Sequence, residues 1–494
     1  MAIAFDNIPA DLRVPLFYAE LGSGGTPFDS AERLLLIGQK LAAGTATANE
    51  PVLVTNATLA EETLFGTGSM LADMVKTARQ NAPFQEIWAL PLDDAGVATA
   101  ATGTVDFTAA TFPLTTTTVF TVYVAGEEYN VTATTASTAT TVGDSLIAEI
   151  NADTRAPVTA ANAAGVVTLT AKQAGTLGNS VDVRTNLLGD ESPASAQVTI
   201  TAMAGGAGDP DITAGLANVG DSDFLWFAMP YADATNIAAM SALLSDVSGR
   251  WSPLQQLYGH AVTVSYNTVA NLSTLGNSLN DQHLTIVGVN DMPSAPWNLA
   301  AALGAKVALH LSDPPELSRP LQFIELQGIV APRISSRFNV TDRNTLLFDG
   351  IATIRYTRTG AVQIERLITT YSTNAAGATD ATFLDIQTLA QAQYILRYLR
   401  NKVLTRHGRQ GLADDDSAPI NGVARPIDIR NTLIAGYGEL AALAVVEGQD
   451  AFERNLVVER NAIDYTRVDV SLPFDVINQL RVLAVSAVAY LQLQ

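Results

Sequence analysis

Short apolar runs alternate with helical patterns on either side of a long stretch that follows neither rule, and this interruption constrains the fold more than any other feature. The runs Arg33–Gly38, Glu86–Leu90, Phe224–Pro230, Ala261–Tyr266 and Leu284–Val289 have no wet face, as expected of parallel strands covered on both sides. Helices are expected between and after them at Ser69–Gln80, Ala234–Val247, Val269–Leu279 and Trp297–Leu311, which makes the whole an α/β core of βαβ type. From about Val97 to Gly208 the composition turns to Thr, Ala and Gly, without Trp or His, and its only bases are Arg155, Lys172 and Arg184. Segments such as GVVTLTA and AQVTITA alternate with period two between Gly and Asn. They predict a β-rich insertion domain, a small sandwich with one helix near Asp144–Ile150. The core is thus split by an insert.

Beyond Pro320 the pattern becomes a hairpin, Ile351–Thr357 and Ala361–Thr370 around the turn Arg358–Gly360. An α+β C-terminal domain follows, with a long helix from near Asp380 to His407 and a second at Ile427–Glu447. The ending Leu480–Gln494 is apolar on both alternating faces, without Gly or Pro, and reads as a strand buried on both sides. No later segment exists to pair with it, and an unpaired strand invites association. Its candidate contact residues with a second subunit are Leu483, Val485, Val488 and Tyr490. At the other end Pro9 and Pro15 hold Phe5–Leu21 extended and exclude a helix. Both ends read as arms. The expected division is an arm at 1–21, core at 22–96 and 213–379, insertion at 97–212, C-terminal domain at 380–479 and linking strand at 480–494.

In a chain of 494 residues, 48% hydrophobic content suffices for full cores in two to four domains. The 49 acidic against 28 basic residues give a net charge of −21, which repels phosphate and argues against direct nucleic-acid binding. With no cysteine, disulfides, thiolate catalysis and Cys-ligated metals are excluded. Asp6 and Asp11 stand where a signal peptide needs a basic and then an apolar run. The most apolar stretches, Leu433–Val446 and Val482–Leu491, fall short of the roughly 18 to 20 residues of a membrane span. A soluble protein made in a cytoplasm is expected.

No cofactor is called for. Gly22–Pro27 (GSGGTP) lacks Rossmann spacing, and no GxxxxGK[ST] occurs. Asp414, Asp415 and Asp416 lack the ligand spacing and final Glu of a calcium loop. No two of His260, His283, His310 and His407 stand at i, i+4. Ser69, in FGTGSM, reads as the N-cap of a helix after a loop shaped by Gly66 and Gly68.

One charge feature stands out. The run Ile386–Ala413 has no acid and carries Arg397, Arg400, Lys402, Arg406 and Arg409. Leu389, Leu396, Leu399 and Val403 mark one helical face, leaving Lys402, Arg406 and Arg409 on one flank. Two readings stay open: bases near a helix C-terminus complement the macrodipole, or the flank meets an acidic partner.

IPADLRVP near the N-terminus, FGTGSMLADMV at Phe65–Val75, MAGGAGDPDI at Met203–Ile212 and LPFDVINQLRVLA at Leu472–Ala484 together resemble the tail sheath proteins of contractile, Mu-like bacteriophages. The resemblance runs in order over essentially the whole chain. It implies a non-enzymatic structural subunit of the virion tail, assembled in the host cytoplasm, that polymerises helically around a tail tube and contracts to drive the tube through the host envelope. Its implied partners are other copies, the tube protein, and baseplate and tail terminator proteins, with no membrane insertion; subunits link through their terminal segments. It also favours an acidic tube as the partner of Lys402, Arg406 and Arg409. The family core is described as subtilisin-like, yet Ser69 precedes all four histidines, the reverse of the subtilisin order. The alternative is a soluble α/β hydrolase with an appended β-domain.

Overall fold

The structure, a computed structural model, describes residues 33–112, 114–189 and 197–489. The expected arm at 1–21 and the loop Gly22–Pro27 lie outside the described residues. All elements below belong to Ala31–Gln494, which packs as one unit.

The first half of the core contains β1 (Arg33–Gln39), β2 (Val52–Leu53), α1 (Ala60–Phe65), α2 (Met70–Asn81) and β3 (Ile87–Leu92). Leu34 to Ile37 are fully buried, as a run with no polar alternation requires. Ser69 caps α2 as expected, its Oγ accepting a hydrogen bond from the Ala72 amide at 3.1 Å. Gly68 before it has φ of 77°.

The chain then leaves the core. The insertion consists of β4 (Ala100–Asp106), β5 (Thr118–Val124), β6 (Glu127–Ala133), α3 (Ala139–Ala152), β7 (Val158–Ala163), β8 (Val166–Ala174), β9 (Val183–Arg184) and β10 (Thr199–Ala204). Its strands form two sheets, β10-β4-β8-β7 and β6-β5-β9. Period-two alternation sends Val105, Val167 and Leu169 inward and Thr outward. Phe107 meets Phe120 edge-on at 5.4 Å between centroids, joining the sheets. The helix expected near Asp144–Ile150 is longer at its start, because Thr138 and Thr141 form a reciprocal capping box.

The core resumes with α4 (Thr213–Ala217), β11 (Phe224–Ala228), α5 (Ala234–Leu244), β12 (His260–Tyr266), α6 (Val269–Asn277), β13 (Leu284–Val289) and α7 (Pro296–His310). The sheet order is β13-β12-β11-β1-β3-β2, parallel except for the short edge strand β2. The five parallel strands therefore run second, first, third, fourth, fifth, a doubly wound order with its switch point between β1 and β11. Right-handed crossovers put α2 on one face and α5 and α6 on the other. α7 packs with α2 and against the sheet, where Gly304 allows the close approach: a Cβ there lies 2.5 Å from that of Ala228 on β11.

After α8 (Val340–Phe348), the expected hairpin is shorter at both strands, β14 (Thr353–Tyr356) and β15 (Val362–Arg366). The C-terminal region holds α9 (Ile386–His407), β16 (Gly411–Leu412), β17 (Val423–Ala424), α10 (Pro426–Ala442), α11 (Gln449–Asn455), β18 (Val457–Arg460) and β19 (Val468–Ser471). α10 stops before the expected Glu447 because Ala444 turns left-handed, φ 58°. The ending departs most from expectation. Residues 480–489 form no strand and are exposed apart from Arg481, whereas a strand buried on both faces was expected. The physical reason is that among the described residues this segment has no strand to pair with; Tyr490 lies outside the described residues.

Candidate functional site

The two ends of the parallel sheet carry different neighbours. At the carboxyl ends, where doubly wound sheets leave their ligand crevice, the insertion is docked by polar pins. Gln39, ending β1, donates from Nε2 to Asp94 Oδ1 at 2.7 Å and to the Ala174 carbonyl at 2.6 Å. Arg184 pairs with Asp182 at 2.5 Å and with Asp291, beyond β13, at 2.7 Å. Arg155 meets Glu62 at 2.7 Å, and Lys172 Nζ bonds the Thr154 carbonyl directly over Gly68. A Cβ at Gly68 lies 2.5 Å from both the Lys172 Nζ and the Thr154 oxygen, so that glycine is a docking point. The crevice is covered.

The amino ends face the C-terminal domain. Arg397 on α9 reaches Asp223, just before β11, at 3.4 Å. The loop before β12 is organised by Arg250, fully buried, which donates to the carbonyls of Gly220, Ser222, Phe224 and Tyr258 at 2.8 to 3.2 Å. Burial lowers its pKa to about 10. This loop presents Trp251 and Tyr258 to an open, mostly apolar groove of about 570 Å³, whose other walls include Leu396, Leu399, Leu433 and Leu472.

The basic flank is divided. Lys402 is not free: it pairs with Glu439 on α10 at 2.6 Å and lies over the Tyr398 ring. The hydrogen bonds from Lys402 and Tyr398 hold the Glu439 carboxyl below its usual range. Arg406 and Arg409 are exposed and have no ion pair with another described residue; Arg400, at the groove, is the same. β18 and β19 form a two-stranded ribbon with Val457 and Val470 half exposed. Val482, Leu483, Val485 and Val488 are 67 to 80% exposed.

The groups considered for chemistry are otherwise engaged. His260 Nε2 bonds Thr285 Oγ1 at 2.8 Å, His283 stacks on Trp251 and bonds Asp246 at 3.0 Å, and His407 bonds Gln410 and Thr432. Asp414 pairs with Arg460 and Asp415 accepts from the Ile427 amide. Among the described residues, no group of three or more His, Asp or Glu is placed to hold a metal ion.

Residues 205–370 match the phage tail sheath protein central domain and residues 378–489 the phage tail sheath C-terminal domain. The Mu-like prophage FluMu tail sheath protein of Haemophilus influenzae is 33% identical over 491 residues, which span 98% of this chain and 99% of the relative. The chain belongs to the phage tail sheath family. Similar solved structures include the sheath tail protein of Desulfitobacterium hafniense, at 12% identity and a TM-score of 0.49, covering 94% of this chain and 97% of that one. The anti-feeding prophage helical sheath in its contracted state is similar at 11% identity and a TM-score of 0.46, covering 97% and 99%.

The sheath subunit also uses residues that sequence reasoning passed over. Gln387 and Gln391 are fully buried one turn apart near the start of α9. Buried glutamines on an otherwise apolar helix face are a readable signal, since each needs a polar partner. That partner is the segment leading to the tail. Arg481, the lone charge after Asp475, is the other half of the signal.

Proposed function

We propose that this sheath subunit polymerises head to tail into a hollow helix around a tail tube, and that its terminal arms exchange strands with neighbouring copies. The observation that carries this reading is an unfinished C-terminal face. A two-stranded ribbon is marginal alone, and here it stands in the same domain as an apolar tail that stays exposed among the described residues. Strand addition satisfies both, and contacts that do not close on themselves generate a filament.

The insertion and the C-terminal domain occupy opposite ends of the sheet, which fits a radial subunit with the insertion outside and α9 inside. Arg406 and Arg409 then face the tube, with Arg400 beside them, while Lys402 is largely spent on Glu439. Shortening without nucleotide hydrolysis, driving the tube through a host envelope during genome ejection, follows from a switch between two packings of the same subunits. Copies at the ends of the tube meet baseplate and terminator proteins, and assembly takes place in the host cytoplasm before the sheath joins the virion tail. The subunit acts as a structural element, not an enzyme.

Negative-stain microscopy of purified full-length chain, alone and with its tube protein, tests the reading. Regular tubes are expected, unchanged by ATP, with Arg406→Glu/Arg409→Glu reducing co-assembly with the tube at low salt but leaving empty tubes intact. A chain that stays monomeric at high concentration with tube present overturns it.

A further inference from the structure

The tail does not leave the body where its pairing ends. Glu447 and Val446 bond or bridge Asp475 and Val476, and the Ile477 amide donates to the Val445 carbonyl at 3.2 Å. From there Ile477, Gln479 and Arg481 turn towards the body, while Asn478 and Leu480 face outward. Gln391 Nε2 donates to the Ile477 carbonyl at 2.9 Å and to Ser318 Oγ at 2.8 Å, while its Oε1 accepts from Gln479 Nε2 at 3.3 Å. Gln322 donates to the Leu480 carbonyl at 3.3 Å. Arg481 Nη2 reaches Asp385 Oδ1 at 3.1 Å and Gln387 Oε1 at 2.8 Å. Asp385 is shared with Arg366, which binds it with two nitrogens at 3.0 and 2.9 Å. After Arg481 the described chain is exposed through residue 489.

This strap is held almost entirely by polar groups, and incompletely. Arg481 Nε and Nη1 and Gln387 Nε2 are buried without an acceptor. Each such donor carries a desolvation penalty that exposure to water removes. Two guanidiniums share one carboxylate, so Arg481 is bound more weakly than a private pair provides. Opening the strap therefore recovers hydration that closing it forfeits, whereas an apolar strap has no such compensation.

We propose that Ile477–Arg481 is a releasable strap, with Asp385, Gln387 and Gln391 as its clasp. Closed, it makes Arg481 the fixed root of the arm and refers any pull on the tail to the start of α9. Open, it adds five residues to the free arm, about 17 Å at the rise of an extended chain. Neighbouring copies then separate or rotate without the arm letting go. The use of this reach rests on the reading that the tail links copies; the strap itself does not.

Hydrogen exchange of the full-length chain tests both parts separately. The Ile477 amide is expected to exchange at least tenfold faster than the amides of β13, and a further tenfold or more faster in Arg481→Met, with β13 unchanged. Arg481→Lys, which keeps the charge but loses the fork, is expected to fall between. Exchange at Ile477 no faster than in β13 means that the strap opens only with the whole fold, and the proposal fails whether or not any variant folds. Removing Val482–Gln494 leaves the strap's exchange unchanged; if that truncated chain still builds tubes, the linking reading fails and the strap stands.

Discussion

The insertion and the C-terminal domain sit at opposite ends of one sheet and are finished to different degrees. The insertion closes on itself: Thr99 and Ala207 exchange both backbone hydrogen bonds, at 2.9 and 3.1 Å, where it leaves and rejoins the core. Its valines and leucines face a core of their own, and its seam with the sheet is made of ion pairs with named partners. The C-terminal domain instead leaves a two-stranded ribbon, an open apolar groove, Arg400, Arg406 and Arg409 without an ion pair among the described residues, and an apolar tail facing water. A monomeric protein rarely leaves such edges uncovered. In the proposed reading, attachment belongs to one end of the subunit and decoration to the other.

The most severe test removes the open end. A chain ending at Arg481 keeps the whole clasp, so it is expected to fold with an unchanged denaturation midpoint and to lose tube formation completely. Sedimentation and negative-stain microscopy read the two halves of that outcome. Regular tubes from this truncated chain place the sheath's cohesion in its globular faces and dissolve the contrast.

The closed end is expected to tolerate far more. Replacing Val97–Gly208 with a short Gly/Ser linker should leave tubes intact, because Thr99 and Ala207 already lie side by side. The single change Arg184→Met sharpens this. It strands Asp182 against burial, which already pushes that carboxyl up, and frees Asp291. Loss of one partner from such a buried pair costs about 3 kcal/mol, readable as a lower denaturant midpoint, with assembly retained. Loss of tubes in Arg184→Met at a temperature where the chain stays folded makes the insertion part of the lattice.

How much of this was legible follows from where each residue's partner lies. β1, β11 and β13 have both faces buried within their own chain, so their apolar runs announced them, as did the alternation of β8 and the cap at Ser69. The ending misled by the same rule. Leu480–Gln494 carries the pattern of a doubly covered strand, but burial in a chain on its own requires a partner in that chain, and among the described residues no strand pairs with 480–489. In the proposed reading, the pattern belongs to an assembly. Lys402 misled differently: helical spacing placed it beside Arg406, while Glu439, 37 positions away, claimed it. Arg250 was invisible because its four acceptors are main-chain carbonyls, which no side-chain pattern encodes.

The smallest effect concerns that misplaced lysine. Lys402 and Glu439 are 40% and 48% exposed, so solvent screens their bond to about 1 kcal/mol or below. Glu439 is a carboxyl whose pKa is lowered on folding, by hydrogen bonds first from Lys402 and then from Tyr398. Its contribution is therefore fully present above the unfolded carboxyl value of about 4.3 and fades as pH falls through the lower folded value. Glu439→Gln should remove that part of the acid dependence while shifting the neutral-pH midpoint only slightly. The same change releases Lys402 to join Arg400, Arg406 and Arg409, so tube co-assembly at low salt should become modestly stronger and its salt dependence steeper. Unchanged co-assembly in Glu439→Gln, alongside a clear loss in Arg406→Glu/Arg409→Glu, confines the tube contact to the last turn of α9 and the residues just beyond it. Unchanged behaviour in both variants removes the electrostatic account of that face altogether and leaves the ribbon and the tail as what distinguishes the open end.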